Sequence, residues 1–254
     1  DTSVEGMGDA PMKGKKLEDK IRPSQLIFSF GPGSIMDLSD GESVMVMGAD
    51  FWPIGRRINE PRLAKKLGVE FFMAPNARSN GEDKPSGVVV RDFPFYRVCP
   101  TCHRLRFITE LKDGIFCPDC KGHDSEGCKT IPPRLVAACK KGHIQDFPWK
   151  WWSGCTCSPR QEELYVKGGT GDSDMIITCK KCGASENFEG ALETLKLRCD
   201  GKRPWMGDNQ DCDQHLKGLM RGASNTYFSQ VDTSLSIPPF SDHLHKKLRD
   251  HLEA

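Results

Sequence analysis

Residues 98–120 read VCPTCHRLRFITELKDGIFCPDC. The turns at its two ends, Cys99-Pro-Thr-Cys102 and Cys117-Pro-Asp-Cys120, decide how the rest of the chain is read. Each CxxC turn can deliver two thiolates to one ion, and two turns separated by fourteen residues have the spacing of a zinc ribbon with a closed tetrahedral site. Backbone N–H groups of such a turn point at the sulfurs, which suits small residues and proline inside it. Arg104–Phe116, with Asp113-Gly114 as its turn, has the length of the connecting hairpin. Two rivals fit less well. Cys99-Pro-Thr-Cys102-His103 matches the c-type haem attachment pattern, but that chemistry predicts no second CxxC and needs export. A thioredoxin-like redox pair needs a flanking βαβ pattern, which the sequence lacks.

Working outward, the same grammar recurs. Cys179-Lys-Lys-Cys182 is a third CxxC turn, followed by Gly183, and Cys139, His143, Cys155, Cys157, Cys199 and Cys212 remain to be placed. Grouping by nearness along the chain puts Cys139, His143, Cys155 and Cys157 on one ion and Cys179, Cys182, Cys199 and Cys212 on another. Cross-pairing of these two sets is the open alternative. With Cys99, Cys102, Cys117 and Cys120 this commits eleven cysteines and one histidine to about three Zn2+ ions. Cys128 is left over, and with His123 it offers a substitute donor. Filled four-ligand sets are structural sites, whereas a catalytic zinc keeps an open position beside an acid or base. The deaminase signature H-x-E with P-C-x-x-C is not met, because the one H-x-E is His251-Leu-Glu253, at the end of the sequence. No H-E-x-x-H occurs. The expectation is a protein that is not an enzyme.

Composition agrees with a stapled fold. Hydrophobic residues make up 37% of the 254 and charged residues 28%, with 17 prolines and 25 glycines. That is lean for one conventional core and rich in loops, so metal sites are expected to supply stability. Asp1–Lys20 is polar and charged with no apolar stretch, and no run of about eighteen apolar residues occurs. We therefore expect no membrane association and a cytoplasmic location, where cysteine pairs read as metal ligands before disulfides. The formal charge of +1 misleads, since eleven thiolates and three dications bring it to about −4. The overall charge thus argues against a globally basic nucleic-acid binder.

The fold class expected is an irregular α+β chain of small β-rich, zinc-ribbon-like modules stapled by about three structural zinc sites. An N-terminal β-containing segment and a C-terminal helix flank them. Four regions are read: a polar tail over 1–22, a strand and helix segment over 23–95, the multi-zinc region 96–215, and a strand and helix over 216–254. Within them, Ser24–Phe30 and Ser43–Phe51 read as strands, Glu60–Met73 as a helix after Asn59, Asn76–Ser86 as a polar loop, and Gly87–Tyr96 as a strand. In the cysteine-rich region, strands are expected at Leu105–Thr109, Arg134–Ala138, Glu163–Val166 and Met175–Thr178. Helical pieces are expected at Trp149–Trp152 and Asn187–Leu197. A strand at Ser234–Ile237, Pro238-Pro239 and an amphipathic helix over Phe240–Ala254 close the chain. Gly31-Pro32-Gly33-Ser34 is no Walker or Rossmann fingerprint and reads as a chain reversal. The aromatic run from Phe147 to Trp152 has the composition of a base-stacking surface, but core for a small zinc fold is the favoured use.

Taken in order, these landmarks resemble one family. Arg22-Pro-Ser-Gln25-Leu with Phe30-Gly-Pro-Gly-Ser-Ile35 is similar to the opening of DrmB proteins of the DISARM antiphage system. The likeness continues through Cys99-Pro-Thr-Cys102, Ala138-Cys139 with Gly142-His143, Asp146-Phe-Pro-Trp149, Cys179-Lys-Lys-Cys182-Gly183, Arg198-Cys199 with Arg203-Pro-Trp205, and Arg221-Gly-Ala-Ser-Asn225 with Ser236-Ile-Pro-Pro239. DrmB proteins are longer, and they often carry a histidine after the Asp-Phe-Pro-Trp motif, where this chain has Cys155 nearby. The resemblance implies a prokaryotic, non-catalytic, zinc-binding scaffold that docks a DrmA-like helicase subunit and engages DNA through the complex. Arg221, Lys202 and Arg203 are the candidate nucleic-acid contacts. The alternative is a free-standing zinc-ribbon nucleic-acid-binding protein.

Overall fold

The computed structural model describes residues 21–75, 87–120, 127–159, 161–168 and 175–235. Residues 1–20 of the expected 1–22 tail, the loop Asn76–Ser86, His123, Pro238-Pro239 and the helix Phe240–Ala254 lie outside the described residues. The described chain forms two units, one of residues 21–48 and 90–228, the other of 49–75, 87–89 and 229–235. Short antiparallel sheets dominate both, with few helices.

The first unit is organised on a four-stranded sheet in the order Ile144–Asp146, Leu135–Ala138, His215–Met220, Thr194–Arg198. Leu135, Val136 and Ala137 are all buried, because both faces of this sheet are covered and successive side chains point to opposite faces. Leu135, Ala137, Leu195 and Leu216 enter the larger core with Phe147, Trp149, Leu164, Ile177 and Phe188. Val136, Ile144 and Leu219 enter a second core with Met45 and Phe93. Met45 belongs to a three-stranded sheet of Ile35–Asp37, Ser43–Val46 and Val90–Asp92. Burying each side chain of this size stabilises by roughly 1.5–3 kcal/mol. Gly218 admits the closest approach in the first core, since a Cβ there would lie 1.7 Å from the Ala191 carbonyl oxygen. The Phe147 and Trp149 rings, 5.0 Å apart, are almost wholly buried, so this aromatic run is mainly core, and Trp149–Trp152 is helical as expected.

A buried ion pair ties the N-terminal sheet to the first cysteine hairpin. Arg97 donates to Glu42 at 2.6 Å with both side chains at most 1% exposed, and Arg97 also donates to the Thr130 hydroxyl and carbonyl. Lys129 reaches the second Glu42 oxygen at 3.2 Å.

Several expected elements come out differently. Pro23–Phe28 is a helix, not part of a strand. Pro23 sits at its first turn, where its fixed φ favours helix entry, and the Arg22 N–H donates to Gln25 Oε1 at 2.9 Å. Ile27 and Phe28 stay more than half exposed, so the apolar run carries no buried strand face. Asn187–Leu197 is not helical: Thr194–Arg198 is a strand, with Leu195 buried between exposed Thr194 and Lys196 in a period of two. The helix expected over Glu60–Met73 is confined to Pro61–Leu67, and the position before it is held by Glu60 rather than Asn59, with no side-chain cap. It stops at Gly68, and Phe72–Ala74 then pairs with Arg56–Ile58. Ser43–Phe51 keeps its strand only to Val46, and Gly87–Tyr96 divides between Val90–Asp92 and the start of Tyr96–Val98.

In the second unit, Lys66 of the Pro61–Leu67 helix forms an ion pair with Asp232 of the 229–235 segment. The Arg57 guanidinium lies 4.3 Å over the Phe71 ring.

Candidate metal centres

Three quartets of donor atoms converge among the described residues, each with all four ligand atoms within 4.8 Å of one another. They are Cys99, Cys102, Cys117 and Cys120; Cys139, His143, Cys199 and Cys212; and Cys155, Cys157, Cys179 and Cys182. The first is the grouping expected from the two CxxC turns. The other two correct the grouping by nearness: the structure joins Cys139 and His143 to Cys199 and Cys212, and Cys155 and Cys157 to Cys179 and Cys182. Sheet pairing is the reason. Cys139 and His143 cap the hairpin of Leu135–Ala138 and Ile144–Asp146. The strand Leu135–Ala138 pairs with His215–Met220, which in turn pairs with Thr194–Arg198. Cys199 follows one of those strands and Cys212 precedes the other. Cys155 and Cys157, just after the Trp149–Trp152 helix, meet a turn that leaves a different, three-stranded sheet of Leu164–Lys167, Ile176–Cys179 and Ser185–Asn187.

Three of the turns, those that begin at Cys99, Cys139 and Cys179, share one backbone design. In each, the residue after the first cysteine's turn donates back to that cysteine: His103 N–H to the Cys99 carbonyl at 2.8 Å, Gly183 to Cys179 at 2.8 Å and Gly142 to Cys139 at 3.0 Å. All three donors have positive φ, with His103 at 62° and the glycines at 78° and 86°. His103, the residue that completes the haem-like pentapeptide, thus occupies the left-handed position of a metal-binding turn.

The spacing fits a tetrahedral ion. Thiolates about 2.3 Å from a shared centre stand about 3.8 Å apart along the tetrahedron's edges. Cys99–Cys120, Cys102–Cys117 and Cys157–Cys179 sulfurs are 3.8 Å apart, Cys139–Cys212 3.9 Å and Cys155–Cys182 3.6 Å. A disulfide needs about 2.05 Å, and every cysteine is free. His143 turns Nδ1 to the Cys139 sulfur at 3.4 Å and Nε2 to the Gln210 carboxamide at 3.2 Å. That carboxamide lies between His143 and the Arg203 guanidinium. With Nδ1 committed to an ion, Nε2 carries the proton, and only the amide oxygen turned toward His143 accepts it. Gln210 is a site residue that the sequence reading missed, since nothing in the local spacing marks it.

Electrostatics points the same way. Burial pushes the Cys155 and Cys199 thiols up to about 12 and raises Cys120 as well. The Ala184 and Thr156 N–H groups bring Cys182 down to about 6. Burial is the largest single influence on Cys117 and Cys179 too and opposes their ionisation, but turn N–H groups, led by those of Asp119 and Cys182 respectively, together with the neighbouring thiols sum to a net lowering of both. Within each quartet the surroundings thus favour ionisation of some thiols and oppose it at others. Four sulfurs this close can all be thiolates only around a cation. The donor sets fit Zn2+, sulfur-rich and closed, with Cys139, His143, Cys199 and Cys212 as the one mixed set. Cys128 lies outside the quartets, its sulfur 3.0 Å from the Thr101 hydroxyl.

The three basic residues read as nucleic-acid contacts are each engaged by a carboxylate. Arg221 pairs with Asp37 and donates to the Pro133 carbonyl at 3.2 Å, its side chain 14% exposed. Arg203 grips Asp208 with two nitrogens. Lys202 lies 3.4 Å from Asp200. Arg221 joins the N-terminal sheet to the central one, a structural task that its surface-like sequence context conceals.

Residues 22–228 match a family model described as a domain of unknown function, DUF8724. The DISARM protein DrmB of Bacillus paralicheniformis is 27% identical over 219 residues, covering 79% of this chain and 37% of that protein. The chain thus spans little more than a third of the length of the relative it matches.

Proposed function

The chain belongs to the DUF8724 domain family and is related to DrmB, and from that premise we propose that it is a zinc-stapled, non-catalytic scaffold of a DISARM-type antiphage assembly. The observation that carries this reading is the set of three quartets, each complete at four donors with tetrahedral spacing. Zinc so enclosed supplies folding energy, of the order of 10–16 kcal/mol per ion. An open coordination position with an adjacent general base, which zinc hydrolysis requires, has no place in such sets. Cys99, Cys102, Cys117 and Cys120 hold one ion, Cys139, His143, Cys199 and Cys212 the second, and Cys155, Cys157, Cys179 and Cys182 the third. The scaffold docks a DrmA-like helicase subunit and contributes to DNA engagement through the composite surface.

The test is co-purification of the zinc-loaded chain from its host with and without nuclease, together with elemental analysis. About three zinc ions per chain and a nuclease-resistant helicase partner are expected. A zinc content near one, or iron with visible absorption, refutes the metal assignment, and loss of the partner on nuclease treatment refutes direct docking.

A further inference from the structure

Beside the second quartet, one face of the central sheet opens into a groove of about 470 Å3. Its floor is Ala138, Ile144 and Leu219, and its walls carry three aromatic rings, Trp205, Tyr227 and Phe228. Gly33 forms the near edge. Its φ is +87°, and a Cβ there would sit 3.3 Å from the Trp205 ring, so the Gly31–Ser34 reversal braces Trp205 rather than cradling a ligand itself. Phe228 is 77% exposed, an unusual cost for a phenylalanine that has a groove beside it.

The charge at the rim is one-sided. Lys140 and Lys217 both line the groove and are exposed, and neither has an ion-pair partner among the described residues. Among the described residues no acidic side chain lines it. This contrasts with Arg221, Arg203 and Lys202, whose charges are met within the fold. Two unmatched ammonium groups flanking aromatic surface, with the exposed Asn225 among the lining residues, form a complement to a ligand that is anionic, flat and able to hydrogen-bond.

We propose that this groove binds single-stranded nucleic acid, with bases against Trp205, Tyr227 and Phe228 and phosphates at Lys140 and Lys217. This rests on the DNA-engaging reading above, but it moves the contact from the Arg221 region to the groove. The strand must be single because ring faces in a concave site reach only unstacked bases. The volume falls in the range of small-ligand sites, enough for one or two nucleotides of a longer strand.

The test uses the zinc-loaded full chain and a fluorescein-labelled twelve-residue oligo-dT, read by anisotropy at 50 and 200 mM salt. The double variant Lys140→Gln/Lys217→Gln should weaken binding about tenfold and reduce the salt slope by about 1.4, two phosphates at about 0.7 each for a single strand. Phe228→Ala should weaken binding about tenfold with the slope unchanged. Both variants replace exposed side chains, and unchanged zinc content and melting temperature verify their folding. Duplex of the same sequence should compete at least about tenfold less well. Wild-type affinity in the variants, equal competition by duplex, or no binding by the wild-type chain would each overturn the proposal. Competition by polyglutamate at equal charge would overturn it as well, by making the groove a site for acidic peptide. Helicase co-purification by the double variant separates the two readings. Retained docking with oligonucleotide binding lost supports the groove; retained docking with unchanged oligonucleotide binding sinks the groove alone. Lost docking in the wild type with groove binding intact sinks the scaffold reading alone.

Discussion

The pairing of the second and third ligand sets can be read out by paired cysteine substitutions, because two pairings predict opposite zinc counts. Cys139 and Cys212 lie in one quartet, their sulfurs 3.9 Å apart, whereas grouping by nearness along the chain divides them between two. Cys139→Ser with Cys212→Ser should therefore remove one ion and leave about two per chain. Cys139→Ser with Cys155→Ser strikes two quartets and should leave about one. Grouping by nearness reverses both numbers. Because each ion is worth of the order of 10–16 kcal/mol and a whole domain only about 5–15 kcal/mol, these variants will lose much of their folded population. A second measurement avoids that difficulty. The wild-type chain is titrated with chelator, pulsed with an alkylating reagent and mapped by mass spectrometry. Thiols should become reactive in quartets, Cys155 together with Cys157, Cys179 and Cys182, and Cys139 together with Cys199 and Cys212. X-ray absorption should give an average per ion of about 3.7 sulfurs and about 0.3 nitrogens, eleven thiolates and one imidazole shared among three ions. Release of Cys139 together with Cys155 and Cys157, ahead of Cys199 and Cys212, would refute the structural pairing.

Other outcomes follow from the same geometry. Glu42→Gln leaves the Arg97 guanidinium buried against a neutral partner and should cost about 3–5 kcal/mol in denaturant unfolding, while Glu42→Leu with Arg97→Met recovers much of it. A cost below about 1 kcal/mol would show the pair to be hydrated. Asp146, half-buried and accepting from the Tyr96 N–H at 3.0 Å, has its carboxyl pushed up to about 6 by burial. The folded chain then holds this proton in a window where the unfolded chain has released it. Stability from this group is full below about pH 4 and falls by about 3 kcal/mol on rising through pH 6. Asp146→Asn should flatten that fall relative to the wild type in matched urea titrations, and parallel curves would contradict it. Stripping the metal should abolish hydrogen-exchange protection in Leu135–Ala138 and His215–Met220, whose ends carry ligands, and unchanged protection in metal-free protein would make the quartets dispensable. Arg221→Ala should lower the thermal midpoint, because it removes the ion pair to Asp37 and leaves the buried Pro133 carbonyl without its donor. An unchanged midpoint would return Arg221 to the surface role read from its sequence.

The twelve candidate donor residues could be picked out locally. CxxC turns, Cys139 with His143, and Cys155 with Cys157 are set by covalent spacing, and a left-handed residue after the turn is written as Gly142 or Gly183. The small antiparallel strands around them were also visible where a short apolar run stands between turn residues, as at Leu135–Ala138 and Ile176–Cys179. Misreadings arose where a short apolar run fits two periods: Pro23–Phe28 turned helical under its proline and cap, and Thr194–Arg198 was drawn into a sheet by a partner twenty residues away. Which ligands share an ion was beyond local reading, because a CxxC turn supplies half a site and says nothing of the other half. Strand pairing between Leu135–Ala138, His215–Met220 and Thr194–Arg198 made that choice, carrying Cys199 and Cys212 to Cys139 and His143. The same tertiary pairing neutralised Arg221 with Asp37 and left Lys140 and Lys217 unmatched beside Trp205. A charge becomes available or committed only when the fold has chosen its neighbours, and that information is nowhere in the order of the residues taken a few at a time.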